Sequence, residues 1–220
     1  MKLVLIRHGQ TAANLSAALD TRLPGLPLTD LGQSQAQSLS ERFSKEVGDR
    51  LDALTVSAMT RTRQTAAPLC ERYGVKPQVS AQIREVSAGD FEMSSSPVAI
   101  RVYVEACYAW MNANFAHRMP GAEDGYEFLG RVVPIIRDVM ERAYLFGGDE
   151  GVGGIVAHGG LIRVLSAVLS EDIRLGVSPT QFMSNTGMAV FEASIQEFRQ
   201  LGVGEVANLK ALSWDGHQLG

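Results

Sequence analysis

The sequence predicts an α/β protein of three layers, α/β/α, with a mostly parallel sheet flanked by helices and a helical cap over the carboxyl ends of the strands. Three observations lead there. Short apolar, β-prone runs at 2–6, 54–57 and 153–157 are separated by segments whose apolar residues recur at helical spacing. Each run ends in polar, turn-prone residues, as strands do where they deliver side chains to a crevice. The stretch 87–125 breaks the alternation and reads as an insertion over the strand ends.

Residues 2–6 form the first strand, being continuously apolar and bounded by a polar segment. Pro24, Gly25 and Pro27 make 20–27 a loop. Thr29-Asp30-Leu31-Gly32-Gln33 starts a helix in which Asp30 is placed to cap free amides and Gln33 to reach back; it runs to about Lys45 with Ala36, Leu39 and Phe43 inward. A second strand at 54–57 leads to a helix from about Thr60 to Tyr73, ended by Gly74. Residues 77–80 are expected as a short edge strand and 87–96 as loop. Helices follow near 97–115 and 124–146, the second carrying the stripe Leu129, Val132, Val133, Ile136, Met140, Ala143 and stopping at Gly147-Gly148. A strand at 153–157, a helix at 160–170 and strands near 187–193 and 206–212 complete the chain. No repeat or linker divides it, so 1–220 is expected to be one domain with about 87–125 as its cap.

Composition removes several classes of function. A net charge of −4 lacks the basic face that a phosphate backbone requires, which argues against nucleic-acid binding. No apolar run approaches bilayer-spanning length, and Met1–Ile6 is too short for a signal-peptide core, so neither membrane association nor export is expected. Cys70 and Cys107 fall in helical segments and offer no disulfide framework, as in a reducing compartment. A cytoplasmic monomer or homodimer is expected.

Three constellations carry chemistry. The first is Arg7-His8-Gly9-Gln10-Thr11-Ala12-Ala13-Asn14, directly after the first strand. A transferring phosphoryl group needs an in-line nucleophile and fixed positive donors around its equator. His8 has a ring nitrogen for the attack, Arg7 a rigid fork of donors, and Gly9 lets the backbone approach closely. Arginine charge beside His8 favours the neutral, attacking imidazole. A histidine that only hydrogen-bonds its neighbours fits this tripeptide equally well. The second is Ser57-Ala58-Met59-Thr60-Arg61-Thr62-Arg63-Gln64-Thr65, at a helix start where free amides attract an anion. Arg61 is the candidate second clamp, and Arg63 points away as a surface charge. The third is His158-Gly159-Gly160, where His158 would stand opposite His8 and donate to a phosphoryl oxygen, or else simply cap the next helix.

Arg7-His8-Gly9 with Thr11 and Asn14, then Ser57-x-x-x-Arg61-Thr62-x-Gln64-Thr65, then His158-Gly159-Gly160, in this order and each after a strand, resembles the histidine phosphatase superfamily. The likeness is to its large phosphoglycerate-mutase-like branch of mutases, fructose-2,6-bisphosphatases and small-molecule phosphatases. It runs from residue 3 to about 165, with Leu28-Thr29-Asp30-Leu31-Gly32 similar to the family's Leu-Thr-x-x-Gly. The resemblance implies that His8 is the phosphorylated nucleophile, that Arg7, Arg61 and His158 complete the charged pocket, and that Asn14 and Gly159 donate to phosphate. It further implies that Glu85, in Ile83-Arg84-Glu85-Val86-Ser87-Ala88-Gly89-Asp90-Phe91-Glu92, is the general acid, since an alkoxide leaves poorly unless protonated. Pro120-Gly121-Ala122-Glu123-Asp124 is similar to the family's Pro-Gly-Gly-Glu-Ser, so Glu123 either shapes the pocket or caps the following helix. The family's Trp-Glu-Gly is here Phe91-Glu92-Met93, which alters the pocket rim. In the cap, Tyr103, Tyr108, Trp110, Phe115, His117 and Arg118 either pack helices or wall the pocket; His117 and His217 have no companion motif and are expected at the surface.

These features imply a metal-independent phosphatase, without cofactor, that hydrolyses a small phosphate monoester through a phosphohistidine. A phosphoglycerate mutase is the nearest alternative, but Arg84, Arg101, His117 and Arg118 are the only evident cap cations for a second anionic group. A non-catalytic, phosphate-ligand-binding regulatory protein is the alternative from another class; it would need neither His8 nor Glu85. A phosphoprotein phosphatase would require an open, shallow cap.

Overall fold

The apolar runs become the middle of a mixed sheet in a computed structural model that describes residues 1–176 and 182–219. Strands β1 (Lys2–Arg7), β2 (Ala53–Ser57), β3 (Gln78–Ser80) and β4 (Val152–Ala157) pair in parallel, in the order β3-β2-β4-β1. Strands β5 (Met188–Glu192), β6 (Lys210–Trp214) and β7 (His217–Gln218) extend the β1 edge and are antiparallel. The expected parallel sheet therefore holds for the four strands on one side. The strands expected near 187–193 and 206–212 exist, shifted to 188–192 and 210–214, with antiparallel pairing.

The reason for the continuous apolar runs is visible in β1. Leu3 and Leu5 enter one core with Ile136, Val139 and Leu165, whereas Val4 and Ile6 enter a second core with Leu39, Phe43 and Leu69. With both faces covered by helices, alternation with polar residues would bury unpaired polar groups. One face carries α5 (Gly125–Gly147) and α6 (Gly159–Leu169); the other carries α2 (Asp30–Glu46) and α3 (Thr60–Tyr73). The short helices α1 (Ala12–Ser16), α7 (Glu171–Gly176) and α8 (Ile195–Arg199) were not expected, nor was β7. Each has six residues or fewer, too few to show a period, although Ser194 and Glu197 do form a capping box at α8.

Helix boundaries follow local chemistry. The cap of α2 is Thr29, not Asp30: Thr29 is extended and its hydroxyl accepts from the Gly32 amide at 3.1 Å, while Asp30 already lies in the helix. Gly74 ends α3 in the left-handed region at φ 63°, as expected. Asp124 and Glu127 box the start of α5 at 2.9 and 3.0 Å. Helix α4 (Pro97–Met111) stops four residues before the expected 115, where Ala113 turns left-handed at φ 61° and the Trp110 indole donates to the His117 carbonyl. Before it, 87–96 is irregular apart from a 3₁₀ turn at Gly89–Phe91. Helix α4 packs on α6 and stands beside the carboxyl ends of β1 and β4. Among the described residues, no helix is long and apolar enough to cross a membrane.

Candidate active site

Parallel pairing of β1 with β4 fixes the central geometry. Arg7 is in register with Ala157, so His8 and His158 leave adjacent strands side by side, with ring centroids 5.4 Å apart. The His8 amide donates back to the Ala157 carbonyl at 3.1 Å. His8 Nδ1 lies 2.7 Å from the Gly9 carbonyl, which can only accept, so Nδ1 holds the proton and Nε2 has the lone pair. Burial, then the Arg61 and Arg7 charges, hold the His8 pKa well below the ordinary histidine value. The imidazole is thus neutral at neutral pH, with its unprotonated nitrogen on the side away from Gly9.

Close backbone packing locks this turn. A Cβ on Gly9 would meet the Gly32 carbonyl oxygen at 2.6 Å, and one on Gly32 would meet the Gln10 carbonyl oxygen at 2.2 Å. The Gly9 amide also donates to Thr65 Oγ1 at 3.0 Å, and that hydroxyl donates to the Arg61 carbonyl at 2.7 Å. The His8-Gly9 turn and the first turn of α3 are joined through one hydroxyl.

A cavity of about 160 Å³ opens over His8, and Arg7, Asn14, Arg61, Glu85 and Gly159 line it as well. Arg61 is buried and donates to Asp20 Oδ2 at 3.0 Å and to the Asp20 carbonyl at 2.8 Å, while its Nε has no protein partner. Arg7 donates to the Met183 carbonyl, and its Nε is likewise unpartnered, next to the start of α6 where a Gly159 Cβ would lie 3.1 Å away. Buried donors without partners are costly unless a ligand meets them. Asn14 spends its Oδ1 on the Thr11 and Asn185 donors at 3.0 and 3.2 Å, which leaves its amide NH₂ as the end available to an anion. His158 is fully buried beside His8; its Nε2 is 2.8 Å from Ser57 Oγ and its Nδ1 is unpartnered. Burial, then Arg61 and His8, depress its pKa well below the ordinary value.

Glu85 reaches the same cavity from the loop after β3. Its Oε1 accepts from the Val86 and Leu161 amides at 2.8 and 2.7 Å, and its Oε2 from the Gly160 amide at 3.0 Å. The amino end of α6 thereby orients the carboxyl group. Gly160 is small because a Cβ there would come within 2.3 Å of the Tyr103 hydroxyl and 3.0 Å of Glu85 Oε1.

Three residues that hold the site were not found from sequence. Asp20, in the irregular loop 20–27, balances Arg61. Glu92 fastens that loop by accepting from the Thr21 and Arg22 amides at 2.9 and 3.0 Å and from the Thr21 hydroxyl, so the altered Phe91-Glu92-Met93 segment keeps a carboxylate at work. Arg131, on the buried face of α5, donates to the carbonyls of Gln82, Arg84 and Glu85 and forms a two-bond pair with Glu123 at 2.6 and 2.7 Å. Glu123 therefore caps nothing; it anchors Arg131, and Asp124 is the cap of α5. The one anomaly that signalled Arg131 was a charged residue between Leu129 and Val132 of the apolar stripe.

Other expectations resolve simply. Arg63, His117 and His217 are exposed, and Arg118 pairs with Asp124 and Glu127. Trp110 and Phe115 pack in the core, whereas Tyr103 and Tyr108 line the cavity. Both cysteines are free thiols, and Cys107 also lines the cavity. Among the described residues, no three His, Cys, Asp or Glu side chains gather as metal ligands.

Comparison with known proteins places the chain in a family. The family model for the histidine phosphatase superfamily (branch 1) matches residues 3–206. The glucosyl-3-phosphoglycerate phosphatase of Mycobacterium tuberculosis is 31% identical over 173 residues, covering 76% of this chain and 74% of that protein. A shorter match, 38% over 107 residues, joins 48% of this chain to only 18% of the PE-PGRS family protein PE_PGRS11 of Mycobacterium tuberculosis, so the chain spans less than two thirds of that relative. A solved mycobacterial glucosyl-3-phosphoglycerate phosphatase, in complex with VO3, superposes with a TM-score of 0.73 at 24% identity, over 97% of this chain and 98% of that one, and shares the fold. On the family match, which takes in both histidines, Arg61 and Glu85, the chain belongs to the histidine phosphatase superfamily, branch 1.

Proposed function

We propose that the chain hydrolyses a small phosphate monoester in two steps through a phosphohistidine on His8. The observation that carries this is the neutral His8 ring, its Nδ1 proton committed to Gly9 and its Nε2 free, in a cavity shared with Arg7, Arg61 and Glu85. In the first step the Nε2 lone pair attacks phosphorus, the P–O ester bond breaks, and the departing oxygen takes the proton of the Glu85 carboxyl group. In the second step Glu85 accepts a proton from water as its oxygen attacks phosphorus. The P–N bond returns its electron pair to Nε2 and inorganic phosphate leaves. Arg7, Arg61, the Asn14 amide and the Gly159 end of α6 line the cavity and supply donors to the phosphoryl oxygens in positions fixed before the ester arrives; His158, fully buried beside His8 and not itself part of the cavity lining, adds its unpartnered Nδ1.

The 31%-identical relative named as a phosphatase supports hydrolysis, as do paired acid and nucleophile, which a mere phosphate binder does not need. We take residues 1–220 as one catalytic domain with 87–125 as its cover. The proposal extends to a cytoplasmic monomer or homodimer that acts on a small molecule, with no nucleic-acid or membrane partner.

Turnover of 4-nitrophenyl phosphate tests it, together with acid-labile, alkali-stable phosphate trapped on the protein by rapid quench. Both signals are expected in the wild type and lost in His8→Ala. Rapid formation of 2-phosphoglycerate from 3-phosphoglycerate with a bisphosphate primer would identify a mutase instead. Binding of phosphate esters without turnover would identify a regulatory binder.

A further inference from the structure

The cavity has two unlike ends. Its floor gathers positive charge from Arg7 and Arg61 around His8, while one side of its wall, formed by α4, is largely apolar. Val104, Cys107, Tyr108 and Met111 of α4 line it at i, i+3, i+4 and i+7, a single helix face, joined by Leu19 and Phe182. Cys107 contributes a neutral thiol, because burial and then the Glu85 charge push its pKa up. Tyr108 and Phe182 remain 47% and 64% exposed, so apolar surface continues to the mouth. Apolar side chains left in water beside a charged floor mark a surface that a ligand covers.

Charge available for a second anionic group is scarce. Among the described lining residues, the one cation beyond the floor is Arg163, which is buried and has its guanidinium over the Phe182 ring at 5.7 Å. Residues 177–181, which precede Phe182, contain no lysine, arginine or histidine. A second carboxylate or phosphate on the ester would be desolvated against the four α4 side chains, none of which carries positive charge. The cavity of about 160 Å³ is close to the volume of roughly 150 Å³ that accommodates one benzene ring in an apolar protein cavity. It has room for a phosphoryl group and the first few carbons of the ester's alcohol, with the remainder lying along Tyr108 and Phe182.

We infer that the substrate is a phosphate monoester of an alcohol with an apolar alkyl or aryl body and no second anionic group, selected by the 104–107–108–111 face of α4. This rests on the phosphatase reading proposed above and specifies the alcohol half of its substrate.

The test is a homologous series of n-alkyl phosphates from propyl to hexyl, in which leaving-group basicity is nearly constant and only buried apolar area changes. With wild-type protein, kcat/KM is expected to climb about three- to fourfold per added methylene until the wall is covered. Hexyl phosphate should exceed glycerol 3-phosphate and 3-phosphoglycerate by about tenfold or more. Val104→Asp, which sets a carboxylate in the wall, should flatten the series. A flat or falling series, or preference for 3-phosphoglycerate, alongside good turnover of 4-nitrophenyl phosphate overturns this inference and leaves the phosphatase intact. No turnover of any ester, 4-nitrophenyl phosphate included, overturns both. The wild-type series decides the matter even if Val104→Asp fails to fold.

Discussion

Replacing Glu85 by glutamine should sort phosphate esters by their leaving groups. In the native site the carboxyl group accepts three amide hydrogens, two at Oε1 and one at Oε2. Glutamine can keep its oxygen at the Oε1 position, but its NH₂ then faces the Gly160 N–H, donor against donor, where the native distance is 3.0 Å. One of three bonds is lost, at a cost of about 1–3 kcal/mol in stability, and the side chain stays near its place. What disappears is the transferable proton, and a positioned general acid contributes about 10²- to 10⁴-fold. An alkyl phosphate, whose alkoxide cannot leave unprotonated, should lose kcat/KM by about that factor. 4-Nitrophenyl phosphate, whose phenolate leaves without a proton, should lose less than about tenfold. The parameter matters: in the proposed mechanism kcat/KM reports steps up to phosphoryl transfer to His8, whereas kcat also includes hydrolysis of the phosphohistidine, for which Glu85 is the proposed base with every ester. The assay is a plot of log kcat/KM against leaving-group pKa for wild type and Glu85→Gln, steeper in the variant. Parallel lines would refute the assignment of Glu85 as acid, because a structural role would slow all esters alike.

Stability should also depend on pH through the two central histidines. Burial, followed by arginine charge, lowers both native pKa values, so below the ordinary value of about 6.5 the unfolded chain takes up protons that the native chain refuses. Their contribution is complete above about pH 6.5 and declines as pH falls towards the native values, by up to about 1.4 kcal/mol per pH unit for each ring. Urea denaturation at stepped pH, with His8→Asn removing one ring's share, measures it; a flat profile would contradict neutral buried rings. Arg131→Met should destabilise the fold by about 3–5 kcal/mol, because it removes the two-bond partner of the mostly covered Glu123 carboxylate, leaving it the longer Arg84 contact, together with the donors to the Gln82, Arg84 and Glu85 carbonyls, and adding Glu123→Leu should recover part of the loss on a urea curve. Thr29→Ala should cost about 1 kcal/mol by removing the α2 cap, and a loss of that size in Asp30→Ala instead would show the cap to be misassigned.

What could be read from the chain, and what could not, divides by the range of the interactions. The strands carrying His8 and His158 were legible because burial on both faces demands unbroken apolar runs, and the end of a run marks where a side chain can emerge. Helix α3 was legible at its stop, because a left-handed glycine such as Gly74 is a local signal, and its start at Thr60 was legible from the end of the preceding strand, since Met59 provides no side-chain cap. Strand direction was not, since a period of two residues is the same in parallel and antiparallel neighbours, and β5 and β6 turned out antiparallel. The balance of charge was also hidden. Arg61 finds Asp20 across 41 positions, Glu85 finds the α6 amides across 75 and 76, and Arg131 reaches the Glu85 carbonyl across 46.

None of those pairs has a periodic or capping signature, yet each fixes a group that the proposed reaction needs. Asp20 holds Arg61 without using its Nε, and Gly9 takes one histidine nitrogen and leaves the other. The α6 amides hold Glu85 by its oxygens, and Arg131 holds the backbone that carries it. Two apolar strands thus decide where the site lies, and these long-range polar contacts decide which atoms in it remain free to react.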